Sequence, residues 1–435
     1  MSATVITFYS YKGGVGRSFA LANVATILAQ WGFKVLVVDW DIEAPGLENY
    51  FSRFSSKSCP GVIDFLEDCV ADTPQSSSAY QIKLQLPEAL GELTLMPAAN
   101  IEKQKDYTAA VQRLNWDQLF AKHRFGERLE NMRTEWLSAF DFIFVDSRTG
   151  VTDFSGITTV LLPDVLIFQF TANNQSLQGS CDVVRRAKEA RQQLPLDRPA
   201  LLTMPIPSRF EQREEYDRAQ FWRQEFARQL SPFFADWVPE SIEATRMVDV
   251  LSIPHVPRWT FGEELAVLEE PAGSSGIRSS NFPATYALET ISSIIANRFD
   301  RIDLLYSSRD EYVLTALESG RSAAQGSENR PHKVFVSYRH EDRMAVMAIM
   351  KELSRFEITF SSMEGIEPGQ SWSKELENAV QMADTFILVI GREFSRQQFV
   401  EAQIFLRSSL RSQENRERRI IPLMLSDATP TLPGF

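Results

Sequence analysis

Cysteine is scarce in these 435 residues. Cys59, Cys69 and Cys181 show neither paired nor Cys-x-x-Cys spacing, which argues against a disulfide framework or a zinc site and for buried thiols in a reducing compartment. Long hydrophobic runs are lacking as well. No stretch approaches the roughly 18 apolar residues needed to cross a membrane, and the chain opens on a strand-like segment rather than a charged-then-apolar leader. A cytoplasmic protein is expected. Basic charge is in deficit too: 45 Lys and Arg stand against 57 Asp and Glu, a net charge of −12, and nearly all of it precedes residue 332. An acidic body speaks against bulk electrostatic binding to nucleic acid or to an anionic membrane, so neither is expected as a partner.

What is present is an ordinary globular composition, 44% hydrophobic and 23% charged, over a length that suggests two or three domains. The most informative stretch is Tyr9 to Ala20. The run Thr4 to Phe8 is apolar and β-branched, and Phe19, Ala20, Leu21, Val24, Ala25 and Leu28 recur at helical spacing, so Lys12-Gly13-Gly14-Val15-Gly16-Arg17-Ser18 lies in a strand-to-helix turn. Glycines there permit positive φ, and without β-carbons they let several N–H groups close on one phosphate at the positive end of the following helix. Ser18 is placed to offer its hydroxyl to Mg²⁺.

This stretch resembles the deviant Walker A ATPases, the group containing MinD, ParA, ArsA and the nitrogenase iron protein. Their loop reads Lys-Gly-Gly-x-Gly-Lys-Ser/Thr, so Arg17 departs from it where a lysine is usual. The resemblance implies that residues 13–19, Gly13 through Phe19, hold the phosphates of ATP. It also makes Lys12 the signature lysine, which reaches across a homodimer to the partner's phosphates. The strand Lys34 to Asp39 delivers Asp39 and Asp41 at its carboxyl end, which faces the ligand in open α/β sheets. By the resemblance Asp39 lies near Mg²⁺ and Asp41 orients the attacking water. Asp141-Phe-Ile-Phe-Val-Asp146 followed by Ser147-Arg148-Thr149-Gly150 looks like the Walker B and switch II region, where Asp-Thr-Pro-x-Gly is usual. Asp146 would hold Mg²⁺ together with Ser18 and Asp39, and Gly150 could turn an N–H toward the γ-phosphate. Two readings of Arg148 stay open: a contact to phosphate or partner subunit, and a solvated loop arginine.

Further strands are expected at 93–98, 165–170 and 200–204, and helices at 62–71, 176–193, 209–230 and 284–299. The aromatic residues Phe221, Trp222 and Phe226 of the third helix read as a packing face. Strand and helix alternation without a repeat implies a doubly wound, mostly parallel sheet over residues 1–300. A helical tail and flexible linker are expected over 301–331, with Glu318 to Lys333 too polar and small to bury a core.

A new strand begins at Lys333, and residues 332–435 resemble a TIR domain, a smaller flavodoxin-like α/β module. The matching pieces are Phe335-Val-Ser-Tyr-Arg339, the loop Ile366 to Trp372, and the late strand Ile420 to Leu425, after which the usual last helix is short or missing. TIR domains either cleave NAD or assemble as adaptors with other TIR or effector proteins. The resemblance places the nicotinamide riboside near Ser337, Tyr338 and Trp372. If Phe399 takes the family's tryptophan position, the expected catalytic glutamate falls on Gln403. Glu401 is the alternative acid, two positions earlier and about 200° around a helix, so geometry favours Gln403. The chain as a whole reads as an ATP-gated, dimerising switch for a TIR module in bacterial signalling or antiviral defence, with NAD a possible substrate. The alternative is a nucleotide-switched scaffold without NAD chemistry.

Overall fold

The computed structural model describes residues 3–55, 58–100, 107–150, 156–194, 198–210, 215–270, 272–273, 276–324, 332–353, 358–361, 380, 383, 385–391, 395, 398, 400–405 and 419–425. The chain divides into two compact units, the larger Ala3–Gln325 and the smaller containing Gly326–Phe435. The seven-stranded sheet of the larger unit is formed by β1 (Thr4–Ser10), β2 (Lys34–Asp39), β3 (Ile82–Leu84), β4 (Glu92–Met96), β5 (Phe142–Asp146), β6 (Val165–Phe170) and β7 (Leu202–Pro207). Their spatial order is β3-β4-β2-β5-β1-β6-β7, parallel throughout except for the short antiparallel β3. This is the doubly wound, mostly parallel architecture expected from the alternation of elements.

The central strands β1, β2, β5 and β6 are apolar at almost every position because helices cover both faces, as parallel sheets require. Helix α1 (Arg17–Trp31) is buried on nearly every side. It lies between the sheet and the helices Pro283–Ala296 and Arg309–Ala324, which is why its apolar residues form no single stripe. Gly32, at φ 122°, ends it against the last helix of the unit: a Cβ there would stand 2.3 Å from the Gly320 carbonyl oxygen.

Three local expectations are corrected. Strand β7 continues past Met204 through Pro205 and Pro207, which it tolerates as the edge of the sheet, where a missing N–H costs no ladder bond. The charged helix runs Tyr216–Phe234, and its aromatic stripe divides: Phe226 is buried against Phe170 and Phe210, whereas Phe221 is exposed. The stretch expected as linker begins as helix, since Arg309–Ala324 includes Glu318 through Ala324, and His332 and Lys333 already belong to a strand.

The smaller unit carries a parallel four-stranded sheet of β8 (His332–Ser337), β9 (Ile358–Ser361), β10 (Thr385–Ile390) and β11 (Arg419–Met424), ordered β11-β10-β8-β9. This is the strand order of a flavodoxin-like module up to its fourth strand. Phe335, Phe386 and Phe405 stack into its core. Among the described residues no helix is long and apolar enough to cross a membrane.

Burial explains the cysteines. It pushes the thiols of Cys59 and Cys69 up to about 11 and that of Cys181 up to about 12, so little thiolate exists near pH 8. Native protein at pH 8 is therefore expected to react slowly with a thiol-specific dye, and denatured protein rapidly at all three sites. Rapid labelling of native Cys181 would contradict this burial.

Candidate nucleotide site and TIR pocket

The carboxyl ends of β1, β2 and β5 meet at one place. Phe8 and Asp39 both pair with Asp146 in the sheet register, so the acidic ends of β2 and β5 lie side by side next to the loop that leaves β1. In that loop Gly14 and Gly16 have φ of 74° and 92°, backbone that a side chain would strain. A Cβ at Gly13 or Gly14 would meet nothing within 4 Å, so the loop presents open backbone on its outer face. Val15 is buried and anchors the turn, Ser10 Oγ donates to the Lys12 carbonyl at 2.9 Å, and α1 begins at Arg17. The Lys12 ammonium has no ion-pair partner among the described residues.

Arg17 turns inward. Its Nη2 donates to Asp41 at 2.8 Å, its Nε donates to Asp146, and its Nη1 is buried with no partner among the described residues. Ser18 Oγ donates to the other Asp146 oxygen at 2.6 Å. Burial opposes the Arg17 charge, yet Asp146 and Asp41 outweigh it and hold the guanidinium protonated above its ordinary range. Asp146 is pushed up by burial, with Arg17 opposing. Asp39 is pushed well up, first by burial and then by the charge of Asp146. Its oxygens accept the N–H groups of Asp41, Gly46 and Leu47 at 3.1–3.2 Å, so Asp39 shapes the segment after β2. Two residues past Asp41, Glu43 pairs with Arg148, while Gly150, at φ 81°, accepts the Tyr9 hydroxyl at 3.2 Å. Phe19 packs against the cluster formed by Trp259, Ala266 and Ala284.

The structure thus brings together Lys12 through Phe19, Asp39, Asp41, Asp146 and Gly150 at the carboxyl ends of the central strands. It gives Arg17 carboxylate partners rather than the outward, phosphate-facing pose expected of it. Among the described residues no group of three or more His, Cys, Asp or Glu side chains could hold a metal by itself, and the oxygens of Asp39 are already engaged. The donor set still fits a magnesium-bound polyphosphate. Mg²⁺ commonly takes only one or two carboxylates and draws its other ligands from phosphate and water; Ser18 and Asp146 would hold it, and the unpartnered Arg17 Nη1 is an anion donor in waiting.

In the smaller unit Ser337, at the end of β8, is buried and donates through Oγ to Glu401 Oε2 at 2.5 Å. Ser395 and Gln398 form a reciprocal capping box, Ser395 Oγ accepting the Gln398 N–H and Gln398 Oε1 accepting the Ser395 N–H. Gln398 Nε2 also donates to the Val389 carbonyl at 2.7 Å. Gln398, Glu401, Ala402 and Phe405 are all buried, at the i, i+3, i+4, i+7 spacing of one helical face. Gln403 falls on the half-buried flank. The geometric preference for Gln403 is therefore corrected: Glu401 is the residue beside Ser337. Tyr338 is half-buried against the neighbouring core. Trp372, Phe399 and the loop Ile366 to Trp372 lie outside the described residues.

Residues 3–197 match the AAA domain family, and residues 334–435 match the TIR domain family. The chain thus joins a region that matches the AAA domain family to a region that matches the TIR domain family. Its larger unit is similar to an uncharacterized ATP-binding protein of Methanocaldococcus jannaschii, 27% identical over 188 residues, covering 41% of this chain and 58% of that protein. It is also similar to the septum site-determining protein MinD of Helicobacter pylori, 28% identical over 183 residues, 42% of this chain and 58% of that one. The chain therefore spans less than two thirds of the length of these curated relatives. Pyrococcus horikoshii MinD complexed with Mg-ADP aligns with a TM-score of 0.42 at 18% identity, over 69% of this chain and 99% of that chain.

Two contributors to the P-loop and TIR sites were not legible beforehand. Glu43 carries no motif, and only its position two residues after Asp41 hints at a place in the site. Gln398 was signalled by Ser-x-x-Gln at a helix start, a pattern that fixes the phase of everything after it in the TIR helix.

Proposed function

We propose that the P-loop domain is a Mg-ATP-dependent dimerisation switch and that the TIR domain is the effector it assembles. The observation that carries this reading is the open glycine turn at the start of α1, backed by a buried arginine bridging the two carboxylates that the chemistry needs. The AAA and TIR matches support nucleotide and Mg²⁺ binding beside a TIR module. Magnesium, when bound, neutralises developing phosphate charge. Within this chain the glycine N–H groups of 13–16 cradle phosphate, Ser18 and Asp146 hold the metal, Asp41 orients a water, and Gly150 presents its N–H to the terminal phosphate. Lys12, an unpaired cation on the rim, completes the site of a second copy.

Lys12→Ala is accordingly expected to abolish ATP-dependent dimerisation while leaving the melting temperature within about 2 °C, because a half-exposed lysine with no ion-pair partner among the described residues contributes little to folding. Light scattering with and without Mg-ATP checks this, and equal dimerisation of variant and parent would remove the role in trans.

The Ser337–Glu401 pair favours a second activity, cleavage of NAD by the TIR domain in a bacterial signalling or antiviral response. A buried carboxylate suits stabilisation of a developing oxocarbenium charge. Incubating the purified protein with ATP, Mg²⁺ and NAD and following both nucleotides separates this effector from a pure adaptor that recruits other TIR or effector proteins.

A further inference from the structure

Arg17 and Arg148 both stand where this chain leaves the resembled pattern, and both tie the segment after β2 to the end of β5. Arg17 joins Asp41 to Asp146, and Arg148 joins Glu43, two residues farther along, to the turn two residues past Asp146. Alternate carboxylates of one segment are therefore gripped by two guanidiniums. The first grip is buried, and the second lies at the surface, with the side chains of Arg148 and Glu43 30% and 37% exposed. Ser147, between Asp146 and Arg148, is fully buried, and its hydroxyl donates to the Arg148 carbonyl at 3.1 Å, which fixes the turn that presents Arg148.

We infer that Arg148 and Glu43 form the outer half of a clasp that closes the nucleotide site, and that the phosphates of an incoming nucleotide compete with Glu43 for Arg148. Arginine forks pair phosphate as readily as carboxylate, in the same bidentate geometry. A polyphosphate seated on the glycine turn offers Arg148 a second anion, and the segment 39–43 is released when Arg148 takes it. Arg148 is thus a positioning residue: paired with Glu43 it holds Asp41 against Arg17, and paired with phosphate it leaves Asp41 free to move. This inference rests on the nucleotide-binding reading above and adds the order in which contacts exchange.

The test uses the full chain and two variants, Glu43→Gln and Arg148→Gln, both at partly exposed positions where folding is little affected. ATP affinity is measured by calorimetry, and hydrogen exchange is followed in peptides covering 39–47 without nucleotide. Losing the competitor in Glu43→Gln should raise ATP affinity two- to fivefold, about the worth of a partly exposed ion pair, and speed exchange in 39–47 of the free protein. Arg148→Gln should speed the same exchange but weaken ATP binding, because the phosphate partner is lost with the clasp. Opposite signs in affinity with the same sign in exchange support the clasp. Equal losses of affinity in both variants, or unchanged exchange, would overturn it while leaving nucleotide binding intact. Absence of ATP binding by the parent chain would overturn both readings.

Discussion

Replacement of Arg17 by alanine is expected to lower the stability of the nucleotide-free protein by about 3–5 kcal/mol at neutral pH, the usual cost of leaving a buried charge without its partner. Arg17 is the cation that faces Asp41 and Asp146 together, and both carboxylates lie out of solvent. The sign of the pH dependence follows from the same contacts. Asp39 and Asp146 already hold protons more tightly folded than unfolded, through burial first. A carboxyl raised in this way costs stability as pH climbs from the unfolded value near 3.9 toward the folded one. Without Arg17 the rise at Asp146 grows, so the deficit of the variant should be greatest near pH 8 and shrink toward pH 5. Urea unfolding at the two pH values measures it. A deficit of about 1 kcal/mol or less, equal at both, would mean that Arg17 behaves as a surface cation.

Arg17→Lys isolates geometry from charge. An ammonium is a compact point charge and cannot bridge two carboxylates with a planar fork. Asp41 would be released while Asp146 keeps a partner. Under the proposed mechanism the variant hydrolyses ATP faster than the parent at similar affinity, and an unchanged rate would show that the arginine does not restrain Asp41.

The larger unit was largely legible because its signals are redundant. Apolar runs that deliver an acidic residue, such as Lys34 to Asp39 and Asp141 to Asp146, mark buried parallel strands by composition and by their endings alike, and the glycine turn lies between a strand and a helix that are each readable alone. Where redundancy failed, so did the reading. β3 is three residues long, and the prolines of β7 mimic a strand end because edge position is a tertiary property. The same limit applied to Arg17. Its motif position is plain in the sequence, but its inward turn depends on Asp41 and Asp146 arriving from two other strands, 24 and 129 residues away.

Glu401→Gln is expected to abolish any NAD cleavage by the TIR domain, and Gln403→Glu to leave it unchanged. The sequence pattern favoured the opposite assignment because it set helix phase from Phe399, whereas the structure sets it from the Ser395–Gln398 cap and from Ala402 and Phe405 in the core. With the cap bonds at Ser395, positions 398, 401, 402 and 405 are buried together, and Glu401 lies against Ser337. Residue 403 lies about 200° farther round the helix and would have to unwind it to reach the same place. Burying a carboxylate is expensive for stability alone even where it is hydrogen-bonded, since an apolar residue would pack there at less cost. Glu401→Leu should therefore be tolerated in folding, with a melting temperature equal to or above that of the parent, while losing NAD cleavage as completely as Glu401→Gln. If both substitutions keep full cleavage, the acid lies elsewhere. If Glu401→Leu instead unfolds the domain and Glu401→Gln stays fully active, the Ser337–Glu401 contact serves only to hold β8 against the helix.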